Sequence, residues 1–384
     1  MASRTPGWRV VFGGALVSTL LTLGAVAQDD DLVFRDAPKV LVPGKQLLLD
    51  ITRAGSRLVA VGASGLVIYS DDSGSSWIQA SVPVSATLTS VDFVDEQKGW
   101  AVGHAGVILH SADGGESWIL QHDGRDSSQA LLEFAGARRA ALEEQLDVLD
   151  ASEEGADSDA RYDVEYALED AIFLEEDAQT AIETGPADPL LDVRFVDANR
   201  GFAAGAYGAF LRTVDGGNSW VLEIDGLDNP DRFHYYSILP TTKQGLFLIG
   251  EAGLLFRSVD GGEVFSRYDG VYDGSLFGAV ESRGRVLAFG LRGNQFRYNL
   301  EGDDWTALDE STGYSLYGGT VLDDGRLLLL GANGALTERT PDGLDTQLLH
   351  PSRATLVAAA TAADGRVWLV GMAGLVNLAE AKQP

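Results

Sequence analysis

The sequence predicts an all-β fold, a seven-bladed β-propeller with an inserted α-helical hairpin. Two observations carry this. A Gly-x-x-Gly step flanked by apolar runs recurs seven times, with first glycines at Gly62, Gly103, Gly205, Gly250, Gly290, Gly331 and Gly371. Five of the six spacings lie near 41 residues, and the sixth, 102, is longer by about 61. A period near 40 with several short strands per unit is the signature of propeller blades.

Each unit reads as four strands. In the second these are residues 90–94, 100–103, 107–110 and 118–121, apolar runs bounded by Gly and Asp. The Gly-x-x-Gly step is read as a tight turn between strands two and three, where glycine supplies positive φ. A second pattern, Ser/Thr-x-Asp-x-Gly-x-x-Trp, marks the turn between strands three and four. It occurs at 70–77, 111–118 and 213–220, and at 258–265 with Phe in place of Trp. The stretches 299–305 and 340–346 are degraded versions. Its aspartates (Asp72, Asp113, Asp215, Asp260) can bond to backbone amides of their own turns, and its aromatics (Trp77, Trp118, Trp220, Phe265) can pack between sheets. These residues are structural, and the aspartates are not read as catalytic acids.

The seventh unit has strands at 356–361, 367–370 and 375–378, and no fourth. Residues 31–36 precede the first unit and are expected to supply that missing outer strand, joining the two ends of the chain.

The long spacing contains an insertion at 125–188, between blades two and three. It holds 19 acids and four arginines, a net charge of −15. Leu131, Ala135, Leu142, Leu146 and Leu149 form one helical stripe, and Val164, Leu168, Ala171, Ala178 and Ile182 another. Residues 152–159 read as the loop between them, so the insertion is an αα-hairpin. Its outer faces carry acids together with Tyr162, Tyr166 and Phe173, which a solvating spacer would not need.

The repeats resemble the Asp-box (BNR) repeat. With strand-one phrases such as Asp92-Phe93-Val94-Asp95 and Arg194-Phe195-Val196-Asp197, the chain is similar to the photosystem II stability/assembly factor family of cyanobacteria and chloroplasts and its relatives in non-photosynthetic bacteria. The resemblance covers residues 32–124 and 189–379. It implies a single seven-bladed propeller with a chaperone-like scaffolding role. It does not imply photosynthesis.

Composition narrows the function. The formal net charge of −29 opposes nucleic-acid binding, which needs Lys and Arg against phosphate. It opposes docking on an anionic membrane surface as well. With no cysteine there is no disulfide, thiolate metal site or cysteine nucleophile. His104, His110, His122, His234 and His350 lie too far apart for a local metal motif, and neither a metal nor a cofactor is expected. Residues 1–27 read as a signal peptide. Arg4 and Arg9 precede an apolar stretch, and Ala25-Val26-Ala27 fits a cleavage site. Cleavage would remove two arginines and no acid, taking the charge from −29 to −31. Residues 28–384 would then be the mature propeller, exported to a periplasmic or lumen-like compartment.

In a propeller the turns between strands two and three share a face with the loops linking successive blades, and the Asp turns lie on the opposite face. Residues inside the Gly-x-x-Gly steps (Ser64, His104, Tyr207, Glu251, Arg292, Asn333 and Met372) therefore ring one channel mouth. Blade-entry residues Arg232, His234, Tyr272, Tyr314, Tyr317 and Arg353 join them. Tyr and Arg are the usual interface anchors. The expectation is a non-enzymatic, monomeric protein that binds subunits of a membrane complex through this mouth and the hairpin. It does not insert into the membrane itself. Two alternatives remain. One is an accessory subunit of an envelope transporter. The other is a sialidase-type glycosidase. The first unit offers only Arg53 and Arg57 toward that enzyme's arginine triad, and Tyr235 and Tyr236 lack an obvious Glu partner.

Overall fold

A computed structural model describes residues 33–151, 159–185, 188–243, 245–308, 313–341, 343 and 345–381. The signal-peptide reading at 1–27, and Asp31 and Leu32 of the expected closing strand, lie outside these residues. Seven antiparallel sheets follow one another along the chain: blade 1 (48–79), blade 2 (88–122), blade 3 (190–222), blade 4 (235–267), blade 5 (276–308), blade 6 (316–349) and blade 7 (356–377). Among the described residues six have four strands and the seventh has three, each in simple up-and-down order. The innermost strand of every blade neighbours that of the next, and blade 7 returns to blade 1, so the ring closes.

The apolar alternation of the strands explains the packing. Each sheet buries both faces, and every blade interface is filled by its own apolar layer. Blades 1 and 2 share Val59, Val67, Val91 and Leu109, blades 2 and 3 share Trp100 and Phe195, and blades 6 and 7 share Leu328 and Leu369. The turn aromatics extend these layers. Trp118 packs edge-on to Phe93 with ring centroids 5.9 Å apart. Phe265 meets Phe210 of the preceding blade at 5.5 Å.

In the turn at 111–118 the Asp113 carboxylate accepts from Ser117 N (3.0 Å) and from the Ser117 hydroxyl (2.5 Å). The buried Ser111 hydroxyl donates to Asp113 at 2.8 Å and accepts from Gly115 N at 2.8 Å. The same bonds recur around Asp72, Asp215 and, in shorter form, Asp260. Blades 5 and 6, whose turns are degraded, use longer outer strands instead, Asp304–Leu308 and Asp345–Leu349.

The Gly-x-x-Gly step differs from its expected form. Its first glycine is extended, with φ near ±180° at Gly62 and Gly103. Glycine is needed there because a Cβ would collide with the carbonyl oxygen of the adjacent innermost strand, Leu47 or Thr87. Positive φ falls instead on the second glycine and on the residue before it, among them Ser64, Ala105, Tyr207, Arg292 and Asn333.

Among the described residues the expected outer strand from 31–36 is not seen. Residues 33–36 form a turn and bend, not a strand. Val33 is buried in the layer between blades 1 and 2, and Ala37 N donates to Val82 O at 3.0 Å. Further on, Leu375 N donates to Gly44 O at 2.8 Å, tying the segment to blade 7. The closure itself is an apolar layer of Leu48, Leu58 and Ile68 against Ala360 and Val370. Trp368 seals it, edge-on to Trp77 at 6.1 Å and donating from Nε1 to Ser73 O at 2.9 Å.

The insertion is a pair of antiparallel helices, α1 (Gly124–Asp150) and α2 (Asp159–Thr184). Asp123 caps α1, accepting from Arg125 N at 2.7 Å, while Asp126 reaches back to Asp123 N. Ala135, Ala171 and Ala178 are fully buried, so the small residues of the two stripes let the helices approach closely. Arg139 bridges to Glu175 at 2.6 Å across the pair. No helix among the described residues is long and apolar enough to cross a membrane.

Candidate functional site

Antiparallel order places the 104–106, 206–208 and 251–253 turns at the same end of the blades as the inter-blade loops. The hairpin rises from that end, with Gly106 packed against Gly124 at its base. Part of the mouth set is drawn into one cluster there. His234 Nδ1 accepts from Tyr207 N at 3.1 Å, and the two rings meet edge-on at 4.9 Å. Arg232 Nε donates to Tyr207 O at 3.3 Å. Glu251 Oε2 accepts from His234 N at 3.2 Å. From His234 the ring contacts continue through Tyr236 to Phe277 and on to Tyr317, around the mouth from blade 4 to blade 6.

Tyr207 is 52% exposed and has φ 53°, and Arg232 has φ 52°. Bulky residues resist this left-handed backbone at a cost of about 1 kcal/mol or more. Arg292 and Arg353 adopt it as well, with φ 59° and 56°. All four lie on turns or blade-linking loops at that end of the blades. The other expected residues are dispersed. His104 and Arg292 stand exposed on turns of blades 2 and 5, Asn333 is half-buried on blade 6, and Tyr314 is 37% exposed at its entry. On the hairpin, Tyr162, Tyr166 and Phe173 are 61%, 72% and 66% exposed. Phe173 alone of these three lines a cavity at the hairpin's foot that Tyr207 and Arg232 also line.

A polar cluster inside the channel escaped the sequence reading. Asp50, Ser90, Asp92, Asp192 and Arg194 line the walls of blades 1 to 3. The carboxylates clamp neighbouring blades: Asp50 accepts from Val91 N (2.9 Å), Asp92 from Phe195 N (2.8 Å) and Asp192 from Ile238 N (2.8 Å). The Ser90 hydroxyl lies 3.1 Å from Asp50 and 2.8 Å from Asp192, and Arg194 pairs with Asp192 at 3.1 Å. Burial pushes the Asp50 carboxyl up to about 6, against the pull of Arg194. Asp92 is raised for the same reason. Burial works against the Arg194 charge, but Asp192, Asp92 and Asp50 outweigh it and hold the guanidinium protonated. A protonated Asp50 can donate to Ser90, which then donates to Asp192. The cluster therefore has a structural use, stitching blades 1 to 4 together. Blades 4 to 7 put Ser237, Gly278, Gly318 and Ala358 at the corresponding positions. The signal was present in the sequence as charged residues in otherwise apolar first strands. Among the described residues no group of three or more His, Asp and Glu could hold a metal ion.

The family model for the photosynthesis system II assembly factor YCF48 matches residues 69–134 and 175–278. Over those two segments the chain is similar to the photosystem II assembly factor family. Solved structures agree on the fold. YCF48 bound to D1 peptide superposes with a TM-score of 0.57 at 14% identity, covering 86% of this chain and 92% of that one. YCF48 from Cyanidioschyzon merolae gives 0.56 at 15%, covering 89% and 97%. The WD40 propeller domain of Doa1 gives 0.58 at 10%, covering 90% and 95%. No curated protein matches the chain. Residues 135–174, most of the hairpin, fall between the two matched segments of this assembly factor-like chain.

Proposed function

We propose that this photosystem II assembly factor-like propeller is an exported, non-catalytic scaffold that binds subunits of a membrane protein complex through its channel mouth and the adjoining hairpin. The carrying observation is the Tyr207–Arg232–His234–Glu251 cluster, where two bulky residues are held in left-handed backbone and still face solvent beside the hairpin. Strain of that kind persists where the surroundings over-determine it, and it gathers at binding sites. Tyr and Arg at the centre of such a cluster are the usual anchors of a protein interface. The YCF48 structure bound to D1 peptide supports a protein ligand for a propeller of this type.

Tyr207→Gly tests the reading cleanly. Glycine accepts φ 53° without strain, and its greater unfolded-state freedom offsets that gain to within about 1 kcal/mol. The variant should melt close to wild type. In crosslinked pull-downs from envelope extracts, wild type should recover membrane-complex subunits at near-stoichiometric yield, and Tyr207→Gly should lose most of them. Val214→Ser, on the opposite face, should lose none. Equal recovery by all three proteins would refute the mouth as the binding face.

A further inference from the structure

We propose that the cavity at the foot of the hairpin receives a partner peptide segment in which an apolar or aromatic side chain adjoins an arginine or lysine. This deepens the scaffold reading and rests on it.

The cavity encloses about 680 Å³, the size range of sites that enclose whole ligands. One wall is the hairpin, with Leu131, Phe134 and Leu174. The other is blade 3 and its flanking loops, with Pro189, Leu222 and Ile224. That floor favours an apolar side chain of the occupant. The rim is a different matter. Asp170, Asp188, Glu223, Asp225, Asp228 and Asp231 contribute six carboxylates against two guanidinium groups, Arg138 and Arg232, while Glu223 and Asp228 pair with Arg212 and Arg267 from outside the lining.

Both guanidinium groups are already engaged, Arg138 with Asp225 at 3.5 Å and Arg232 with Asp177 at 3.9 Å. Asp170, Asp188 and Asp231 have no cation within ion-pairing distance among the described residues. Asp188 is solvent-exposed at the cavity's edge, and its pKa is raised by partial desolvation and by the nearby Asp177 charge, against the weaker pull of Arg232 and His234. A carboxylate that makes no direct ion pair at the edge of an apolar cavity is stabilised by an incoming cation. A cation alone would leave the apolar floor wet, and an apolar group alone would strip water from the carboxylates without pairing them. A side-chain pair that is apolar and basic satisfies both. Anionic occupants, including phosphates and acidic peptides, are repelled.

The test uses the full chain and three blocked hexapeptides of sequence Gly-Ser-Phe-Arg-Ser-Gly, the same with Ala for Phe, and the same with Glu for Arg, titrated calorimetrically. The Phe-Arg peptide should bind at least about tenfold more tightly than either of the others, the equivalent of about 1.4 kcal/mol. The double variant Asp188→Asn/Asp231→Asn should lose about tenfold of that affinity. Glu263→Gln, at a turn on the opposite face, should lose none. Equal binding of the three peptides, no binding of any at about 1 mM, or unchanged affinity in the double variant would overturn the proposal. If the peptides fail while envelope pull-downs still recover membrane-complex subunits, the cavity inference falls and the scaffold reading stands. If the Phe-Arg peptide binds as expected and no such subunit is recovered, the scaffold reading falls and the cavity stands as a peptide site.

Discussion

At the scale of single residues, the chain puts two kinds of aspartate to opposite use. The turn aspartates sit in water and accept several hydrogen bonds. Those from Ser76 come first in holding the Asp72 carboxyl down at about 2. Asp50 sits in the channel wall, where burial holds it up at about 6. The pH consequences have opposite signs. Asp72 supports the fold above its unfolded pKa near 3.8, and that support is lost as pH falls through about 2. Asp50 binds its proton more tightly folded than unfolded. Its support is therefore complete below about pH 4 and is lost as pH rises through about 6. The two windows do not overlap. Asp50→Asn keeps an acceptor for Val91 N and removes the titration. Between pH 4 and 7, wild type should lose on the order of 2–3 kcal/mol of stability relative to this variant, read by denaturant melts. Parallel stability–pH curves for the two proteins would show that Asp50 does not carry a raised pKa.

Elements were legible in the sequence where the information is local. The strands, the Ser/Thr-x-Asp turns and both helical stripes follow from periodicity over a few residues, and the helices run Gly124–Asp150 and Asp159–Thr184. The mouth residues were legible as a face, because antiparallel order fixes which turns share an end. Which of them touch was not, since Tyr207, Arg232 and His234 meet through an inter-blade loop. Least legible was the channel cluster, where Asp50, Ser90 and Asp192 come from three blades and only ring geometry unites them. The first glycine of each step was read as a turn residue. Its need for a bare Cα comes from a strand over ten residues earlier in the chain. The hairpin follows the local logic of a self-contained unit, with its own cap, its alanine seam and the Arg139–Glu175 bridge. Replacing 125–188 by a short Gly/Ser loop should remove the helical circular-dichroism signal and leave a cooperative β-sheet melt within about 5 °C of the original. Collapse of the sheet signal would mean that the hairpin is part of the propeller core.

For the whole molecule, seven apolar interfaces hold the ring, and among the described residues no single hydrogen-bonded strand closes it. Blade 7 has three strands, and the seam to blade 1 relies on side chains such as Trp368 and Trp77. The chain segment at 37–44 is bonded to the linker between blades 1 and 2 at Val82 and to blade 7 at Leu375, a strap rather than an outer strand. The ring leaves two faces with different chemistry. One carries the Ser/Thr-x-Asp turns, whose polar groups are largely satisfied among themselves. The other carries strained, exposed Tyr and Arg side chains, the acidic hairpin and the cavity between them. The scaffold account therefore makes a spatial claim about which face a partner covers. Hydrogen–deuterium exchange of the full chain, free and with its co-purified partner, tests it most directly. The account predicts slowed exchange at 204–209, 229–236 and along the hairpin, with the turns at 111–118 and 213–220 unchanged. Protection confined to those turns, with the mouth and hairpin exchanging as in the free protein, would contradict it.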